Sequence, residues 1–136
     1  MEGLMQDYEL SIQHVLWRLG RLHPHKEVVT KQEQGVHRTT NGHMVPRINR
    51  LAGALKRLGI KPGDRVATLA WNNYRHLELY YAVPCMGAVL HTLNLRLFPQ
   101  HLEFVVNDAE DKVLFVDQTL LPLLKPLIGK IPSVKH

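Results

Sequence analysis

The chain has 136 residues, of which 45% are hydrophobic and 21% are charged, so its composition excludes a disordered or fibrous protein and predicts one modest globular core. Lysine and arginine outnumber aspartate and glutamate by 17 to 12, and the resulting formal charge of +5 favours anionic partners. The basic residues are scattered rather than clustered, however, so a solvated basic surface is favoured over a nucleic-acid site.

Three features of the sequence predict a cytoplasmic protein. The single cysteine, Cys85, excludes an internal disulfide and suits a reducing compartment. No apolar run approaches the roughly 20 residues that span a bilayer. The amino terminus lacks the basic region and apolar run of a signal peptide and instead carries acidic residues, namely Glu2, Asp7 and Glu9.

The first half of the chain predicts a helix, a hairpin and a second helix. Apolar residues recur at helical spacing before Gly20, at Ile12, Val15, Leu16 and Leu19. Residues 27–30 and 36–39 are β-prone and flank a polar turn, which predicts a small hairpin. The second helix runs through residues 48–58, and Gly59 supplies a left-handed cap at its end.

The second half predicts strands that alternate with helices. The strands are apolar runs at residues 65–70, 88–93 and 112–117. A helix from Tyr74 to about residue 83, bent or ended by Pro84, packs Leu77, Tyr80 and Tyr81, and another helix starts at Pro99. Residues 120–128 are helical but interrupted by Pro122 and Pro126, and residues 131–136 begin a further strand.

This order of elements predicts the fold class. The three strands lack in–out alternation, as strands buried on both faces do. We therefore expect an α/β fold with a mainly parallel sheet, alternating helices, right-handed crossovers and a small early β-hairpin.

Few residues combine into a recognisable catalytic or metal site. His23 and His25 are two residues apart but have no third ligand at a zinc-like spacing, and His91 is expected to be a hydrogen-bonded core histidine. Cys85 lies in an apolar context that predicts packing rather than a reactive thiol. Ser11 and Ser133 lack the glycine context of a nucleophile. We therefore assign no catalytic and no metal-binding residue.

Phosphate binding has no better support. The glycines do not form a phosphate-binding pattern, and the Gly59–Gly63 segment precedes a strand instead of opening a helix, so we expect a plain turn. The acidic group of Asp108, Glu110 and Asp111 lacks the spacing of a calcium loop and is expected to be a solvated turn. No cofactor-binding residue is assigned.

One polar loop is a candidate contact surface, and it consists of Trp71, Asn72, Asn73, Tyr74 and Arg75. It follows a predicted strand at the edge of the sheet where ligands gather in α/β folds, and Arg75 at a helix start suits an anion. The alternative is structural: Asn72 or Asn73 caps the helix, and Trp71 covers the end of the sheet.

Several segments resemble the amino-terminal part of ATP-dependent acyl-CoA synthetases, the fatty-acid–CoA ligases of the AMP-forming superfamily, most of all the medium- and long-chain type. The matching strings are EVVTKQEQGVHRTT, RLAGALKRLGIKPGDRVATLAWN, NNYRHLELYYAVPCMGAVLHTLNLRLF and NDAEDKVLFVD. This resemblance implies a partial amino-terminal domain of that fold, a single incomplete domain over residues 1–136. Residues 1–26 form its first helix and connector, residues 27–117 its family-like core, and residues 118–136 a helix and the start of a strand.

The resemblance also implies a reaction. Such enzymes use ATP, magnesium and coenzyme A to convert a fatty acid to its thioester through an acyl-adenylate. Their phosphate loop ending in Pro-Lys-Gly is not found in this sequence, so we expect an amino-terminal fragment of a ligase that needs no cofactor and is inactive alone. The alternatives are a module that forms a homo-oligomer or pairs with a fuller synthetase and, more weakly, an anion-binding or nucleic-acid-binding protein.

The sequence departs from the family pattern at a few positions. Gly42 and Pro46 lie where a helix start is usual, which predicts that the second helix begins late. Cys85 replaces a common glycine, and Leu95 replaces a common proline. These differences affect structural positions and leave the resemblance in place.

Overall fold

The computed structural model describes residues 7–136 and contains a hairpin, a parallel sheet and helices on both faces of that sheet. The helices are α1 (Ile12–Leu22), α2 (Asn41–Arg57), α3 (Tyr74–Cys85) and α4 (Pro99–Asp108). The strands are β1 (Glu27–Gln32), β2 (Gly35–Thr40), β3 (Arg65–Leu69), β4 (Val89–Thr92) and β5 (Val113–Val116). This arrangement confirms the predicted α/β class.

The main sheet has the strand order β4-β3-β5, and both pairings are parallel. Ala67 lies opposite His91 on one side and Leu114 on the other. Successive residues of β3 point to opposite faces, so Val66 packs with α3 while Ala67 and Leu69 pack with α4. Because α3 and α4 lie on opposite faces, the chain leaves β3 on one side of the sheet and leaves β4 on the other.

The β1–β2 hairpin is longer than the sequence predicts. Its antiparallel register runs from the Glu27–Thr40 pair to the Gln32–Gly35 pair, which leaves Glu33 and Gln34 as the turn. Gly35 has a φ of +123°, a conformation that few other residues adopt.

The prediction that α2 begins late is wrong. The helix starts at Asn41, because the Thr40 hydroxyl accepts a hydrogen bond from the His43 amide and the connector supplies further carbonyl acceptors. Gly42 belongs at this start, since a side chain there would meet the Pro24 carbonyl oxygen at 3.1 Å. Pro46 lies within the helix, which therefore lacks one backbone hydrogen-bond donor.

One further prediction about helices needs correction. The first helix ends at Leu22, close to Gly20, and it buries none of its residues. Tyr80 of α3 is 44% exposed; the buried α3 residues are His76, Glu78, Leu79, Ala82 and Val83. Pro84 lies inside α3, which ends one residue later, in agreement with the expected helix end.

The chain after β5 is irregular. Residues 118–127 form three short helical pieces, Gln118–Leu120, Leu121–Leu124 and Lys125–Leu127, and the second and third contain the two prolines. Residues 131–136 are not a regular strand, contrary to expectation. Two backbone hydrogen bonds nevertheless join them to the β5 region, from Lys135 to the Lys112 carbonyl and from Leu114 to the His136 carbonyl.

The three helix-to-strand joints that lead into the main sheet share one backbone motif. After α2, the Ile60 amide bonds to the Leu55 carbonyl and the Gly59 amide to the Lys56 carbonyl, the pairing of a Schellman cap. The same pairing follows α3, with Gly87 at the left-handed position, and α4, with Glu110 there at a φ of +51°. The prediction of a left-handed cap at Gly59 is confirmed. Within residues 7–136, no helix has both the length and the apolar character needed to cross a bilayer.

Candidate functional site

The carboxyl edge of the parallel sheet holds two adjoining grooves. One, of about 530 Å³, lies between the ends of β3 and β4 and includes Ala70, Leu93, Asn94 and Arg96 in its walls. The other, of about 570 Å³, lies between the hairpin turn and the end of β5. Trp71 and Asn72 line both grooves. A crevice where neighbouring strands lead to helices on opposite faces is the usual ligand position in open α/β sheets.

Asp117 organises the contact loop at this edge. One oxygen of its carboxylate, Oδ2, accepts hydrogen bonds from the Trp71 amide at 2.8 Å and from Asn73 Nδ2 at 2.9 Å. The other, Oδ1, lies 3.4 Å from Arg75 Nη2. The sequence analysis assigns no role to Asp117, and the one signal for it is its position directly after a strand that ends at the same edge.

The loop divides into structural residues and exposed ones. Asn73 caps α3, since its Oδ1 accepts from the His76 amide at 3.0 Å, as one of the two predicted alternatives requires. The Tyr74 amide donates to Thr30 Oγ1 at 3.0 Å, and its ring stacks on His37 at 4.0 Å, so Tyr74 joins the hairpin to α3. The remaining loop residues, Trp71, Asn72 and Arg75, are exposed.

Trp71 is only partly held in place. Its indole nitrogen donates to Thr119 Oγ1 at 2.9 Å, and about half of the residue remains exposed at the end of β3. The indole face is therefore open to a partner, while its polar edge is satisfied by the protein.

The buried pair of His76 and Thr68 lies beneath this loop. His76 Nε2 is 3.0 Å from Thr68 Oγ1, and His76 is 6% exposed. Burial lowers the pKa of His76, which favours the neutral imidazole. The other ring nitrogen, Nδ1, is also buried, and no hydrogen-bond partner is found for it among the described residues.

The acidic group before β5 is not the solvated turn that the sequence predicts. Asp111 is fully buried, and its Oδ2 lies 2.7 Å from Nδ1 of His91. Burial raises the pKa of Asp111, and the hydrogen bond from His91 opposes that shift. Glu110 pairs with Arg65 Nη2 at 2.9 Å, and Arg65 Nε donates to the Ala109 carbonyl. Of the three acidic residues, only Asp108 both is exposed and takes no part in these contacts. The expectation for His91 is confirmed, since its side chain is hydrogen-bonded and half-buried.

The other sequence candidates do not converge on a site. Within residues 7–136, no group of three side chains is arranged to hold a metal ion. The Cys85 thiol is half-buried and burial raises its pKa, so the reactive thiolate is disfavoured. Gly59 and Gly63 both have φ near +85° in the turn that leads into β3, and they do not open a helix. An ATP or magnesium site therefore finds no fit among the described residues.

Comparison with known proteins gives a consistent result. The family model described as "AMP-binding enzyme" matches residues 16–136. The chain is 50% identical over 133 residues to a long-chain-fatty-acid–CoA ligase of Thermus thermophilus, with 97% of this chain and 25% of that protein covered. It is 43% identical over 136 residues to a medium-chain-fatty-acid–CoA ligase of Ectopseudomonas oleovorans, again with 25% of that protein covered.

A solved structure has the same fold. The N-terminal domain of FACL13 from Mycobacterium tuberculosis superposes with a TM-score of 0.83 at 26% identity, covering 92% of this chain and 32% of that one. The chain spans about a quarter of the length of the two curated relatives.

Proposed function

The chain belongs to the AMP-binding enzyme family, and from this premise we propose that it supplies the amino-terminal part of a fatty-acid–CoA ligase. The observation that carries the proposal is the 50% identity to a long-chain-fatty-acid–CoA ligase across nearly the whole chain. The fold adds support, since it matches the N-terminal domain of a mycobacterial relative. The whole ligase would use ATP, magnesium and coenzyme A, and its compartment would be the cytoplasm.

The 136 residues alone are proposed to be inactive. The described residues contain neither a metal-ligand group nor a glycine-rich turn that opens a helix, so they hold no fit for Mg-ATP. We expect purified chain, mixed with Mg-ATP, coenzyme A and fatty acids of several lengths, to release no pyrophosphate above a buffer control. Acyl-CoA formed in proportion to the amount of chain would contradict this part of the proposal.

Complementation separates the family assignment from the question of activity. A medium-chain ligase that lacks the segment aligned with this chain is expected to be inactive, and co-expression with this chain is expected to restore thioester formation. A matched control is Val66→Asp, which places a carboxylate in the fully buried centre of β3 and prevents folding. Failure of the intact chain to restore activity, while the relative's own segment does so, would contradict the assignment.

We infer that the exposed part of the contact loop, Trp71, Asn72 and Arg75, faces the remainder of the ligase. Arg75 is already opposed by the carboxylate of Asp117, so a small anion would meet a negative charge beside the positive one. A protein surface that stacks on the indole and bonds to the Asn72 amide suits the loop better. In the complementation assay, Trp71→Ala is expected to reduce restored activity more than Val29→Ala, which truncates an equally exposed residue on the hairpin.

Self-association is a second candidate function, and the edge of the sheet favours it. Strand β4 pairs only with β3 among the described strands, and Val89 on it is 49% exposed. An unpaired edge with apolar side chains is a template for another chain. Sedimentation equilibrium is the test: a homo-oligomer that Val89→Lys dissociates would support this function, and a monomer at high concentration would remove it.

A further inference from the structure

One side-chain hydrogen bond joins the two outer strands of the main sheet. His91 lies on β4, and Asp111 lies in the joint between α4 and β5, on the other side of β3. The two outer strands are two strand spacings apart, about 10 Å. His91 lies opposite Ala67, which packs with α4, so the pair spans β3 on the α4 face, with 2.7 Å between His91 Nδ1 and Asp111 Oδ2. We call this pair the His91–Asp111 clamp.

The carboxylate of the clamp is completely buried but only partly hydrogen-bonded. Asp111 is 0% exposed, and its second oxygen, Oδ1, has no hydrogen-bond partner among the described residues. A missing partner costs more free energy for an ionised carboxylate than for a protonated one. Burial accordingly raises the pKa of Asp111.

Neighbouring charged groups do not supply the missing hydrogen bond. Arg65 attracts the charge of Asp111 from β3, but its guanidinium donates to two backbone carbonyls and to Glu110. The other charged or titratable side chains of α4 and of the start of β5 are paired elsewhere or exposed: Glu103 with Lys130, Lys112 with Asp64, and exposed His101 and Asp108. Compensation of the buried charge therefore depends mainly on His91.

The two members of the clamp differ in their access to water. The His91 side chain is 27% exposed and can exchange protons with solvent, whereas Asp111 is enclosed. While the clamp holds one titratable proton between Nδ1 and Oδ2, the pair is neutral overall. When that proton is lost, Nδ1 still donates to the carboxylate, but the interior keeps a negative charge with one unpaired oxygen.

Segments of a longer ligase would add to this burial and would not reverse it. The chain spans about a quarter of the length of its curated relatives, so further segments can cover the exposed part of His91. They cannot reach Asp111 Oδ1, which this chain already encloses. We propose that the His91–Asp111 clamp is a pH-sensitive device: while it holds a proton it ties the α4–β5 joint to β4, and loss of that proton leaves a buried charge that loosens both.

The variant Asp111→Asn tests the proposal in the full chain, because its amide removes the charge and keeps an acceptor for Nδ1. Since the pKa of Asp111 is raised in the folded chain, its protonated form stabilises the fold below the ordinary value of 3.8, and this contribution is lost as the pH rises through the folded value. The ratio of the folding constants of variant and wild type, measured by urea denaturation, is therefore expected to rise several-fold between pH 4.5 and pH 7.5.

The matched control is Asp108→Asn, which neutralises an exposed carboxylate three residues away, so its ratio to the wild type should stay constant. Burial of His76 changes stability with pH in the opposite direction, but His76 is common to all the proteins compared.

Hydrogen exchange measures the loosening itself. After correction for the intrinsic pH dependence of exchange, protection of residues 89–92 and 109–113 is expected to fall several-fold from pH 6.0 to pH 8.5, relative to the β1–β2 hairpin. In Asp111→Asn this protection should stay the same at both pH values.

The partner side chain gives an independent test. His91→Gln removes the ring that holds the proton and keeps an amide donor for Oδ2, so the chain should unfold at a lower urea concentration at pH 7.5. Adding Asp111→Asn should restore part of that loss, because the buried charge is then gone.

Three results would overturn the proposal. One is a ratio for Asp111→Asn that stays as constant with pH as that of the control, since Asp111 would then keep one protonation state. Another is equal pH dependence of protection in the clamp segments and in the hairpin. A third is further destabilisation of His91→Gln by Asp111→Asn, which would make the carboxylate a structural partner that the fold needs in its charged form.

Discussion

His76 connects the protonation of one buried side chain to the stability of the fold. Its ring is hydrogen-bonded to Thr68 beneath the contact loop, and burial lowers its pKa below the ordinary value of 6.5. As the pH falls through 6.5, this histidine becomes protonated in the unfolded chain but stays neutral in the folded chain. The contribution of His76 to the free energy of unfolding is therefore complete above this pH. Below it, that contribution decreases by at most about 1.4 kcal/mol per pH unit.

The variant His76→Gln is expected to flatten this dependence. Urea denaturation at pH 7.5 and at pH 5.5 would measure it, with His101→Gln as the control because His101 is exposed on α4. The wild type and the control should lose stability over this interval, and His76→Gln should lose less. An unchanged pH dependence in His76→Gln would show that another group carries it.

A second prediction at the residue scale concerns Asp117. Its carboxylate holds Trp71 and Asn73 by bonds of 2.8 and 2.9 Å, and both donors lose their partner in Asp117→Ala. Charge-assisted bonds of this kind lead us to expect a loss of about 2 kcal/mol in the free energy of unfolding. Asp108→Ala on the exposed side of α4 should cost almost nothing, and equal effects of the two would refute the role given to Asp117.

At the scale of elements, the three Schellman joints differ in the residue at the left-handed position. Gly59 stands in open space, whereas a side chain at Gly87 would meet Pro62 Cβ at 3.2 Å. Gly59→Ala is therefore expected to cost about 1 kcal/mol, and Gly87→Ala more, because it adds a contact to the same strain. Thermal unfolding of both variants would decide the order.

Glu110 occupies the left-handed position after α4, where it lacks the conformational freedom of a glycine backbone. Glu110→Gly is expected to stabilise the fold by up to about 1 kcal/mol, since its pair with Arg65 is largely exposed and contributes little. Glu110→Ala is the control, because it removes the carboxylate and keeps the strain. Equal melting temperatures for the two variants would contradict this explanation.

These joints also explain which elements the sequence predicted well. A glycine after an amphipathic run indicates the end of α2 at Gly59, but the cap at Glu110 has no such glycine, and the burial of Asp111 is therefore not predicted. The early start of α2 is not predicted either, because its acceptors come from the connector, through the Pro24 and Lys26 carbonyls. Likewise, Asp117 lies more than 40 positions along the chain from the loop residues that donate hydrogen bonds to it. Local patterns predicted the strands and helices, whereas long-range contacts decided these boundaries and partners.

At the scale of the whole molecule, β3 is the centre of stability. It is paired on both sides, and Val66, Ala67 and Thr68 are completely buried. Hydrogen exchange is expected to be slowest for the β3 amides and much faster in α1, which buries no residue. Protection in α1 equal to that in β3 would contradict this gradient.

The central place of β3 also has a consequence for synthesis on the ribosome. This strand is made before both of its partners, and β4 begins about 20 residues later, on the order of a second or more of translation. Until then β3 is a short apolar segment with no neighbour to pair with, while the hairpin and α2 are already complete. The sheet therefore cannot assemble from one edge to the other: its middle strand is made first and pairs with β4 and then with β5, and parallel pairing of this kind is slow. The nascent chain is most exposed to aggregation in the interval between β3 and β5.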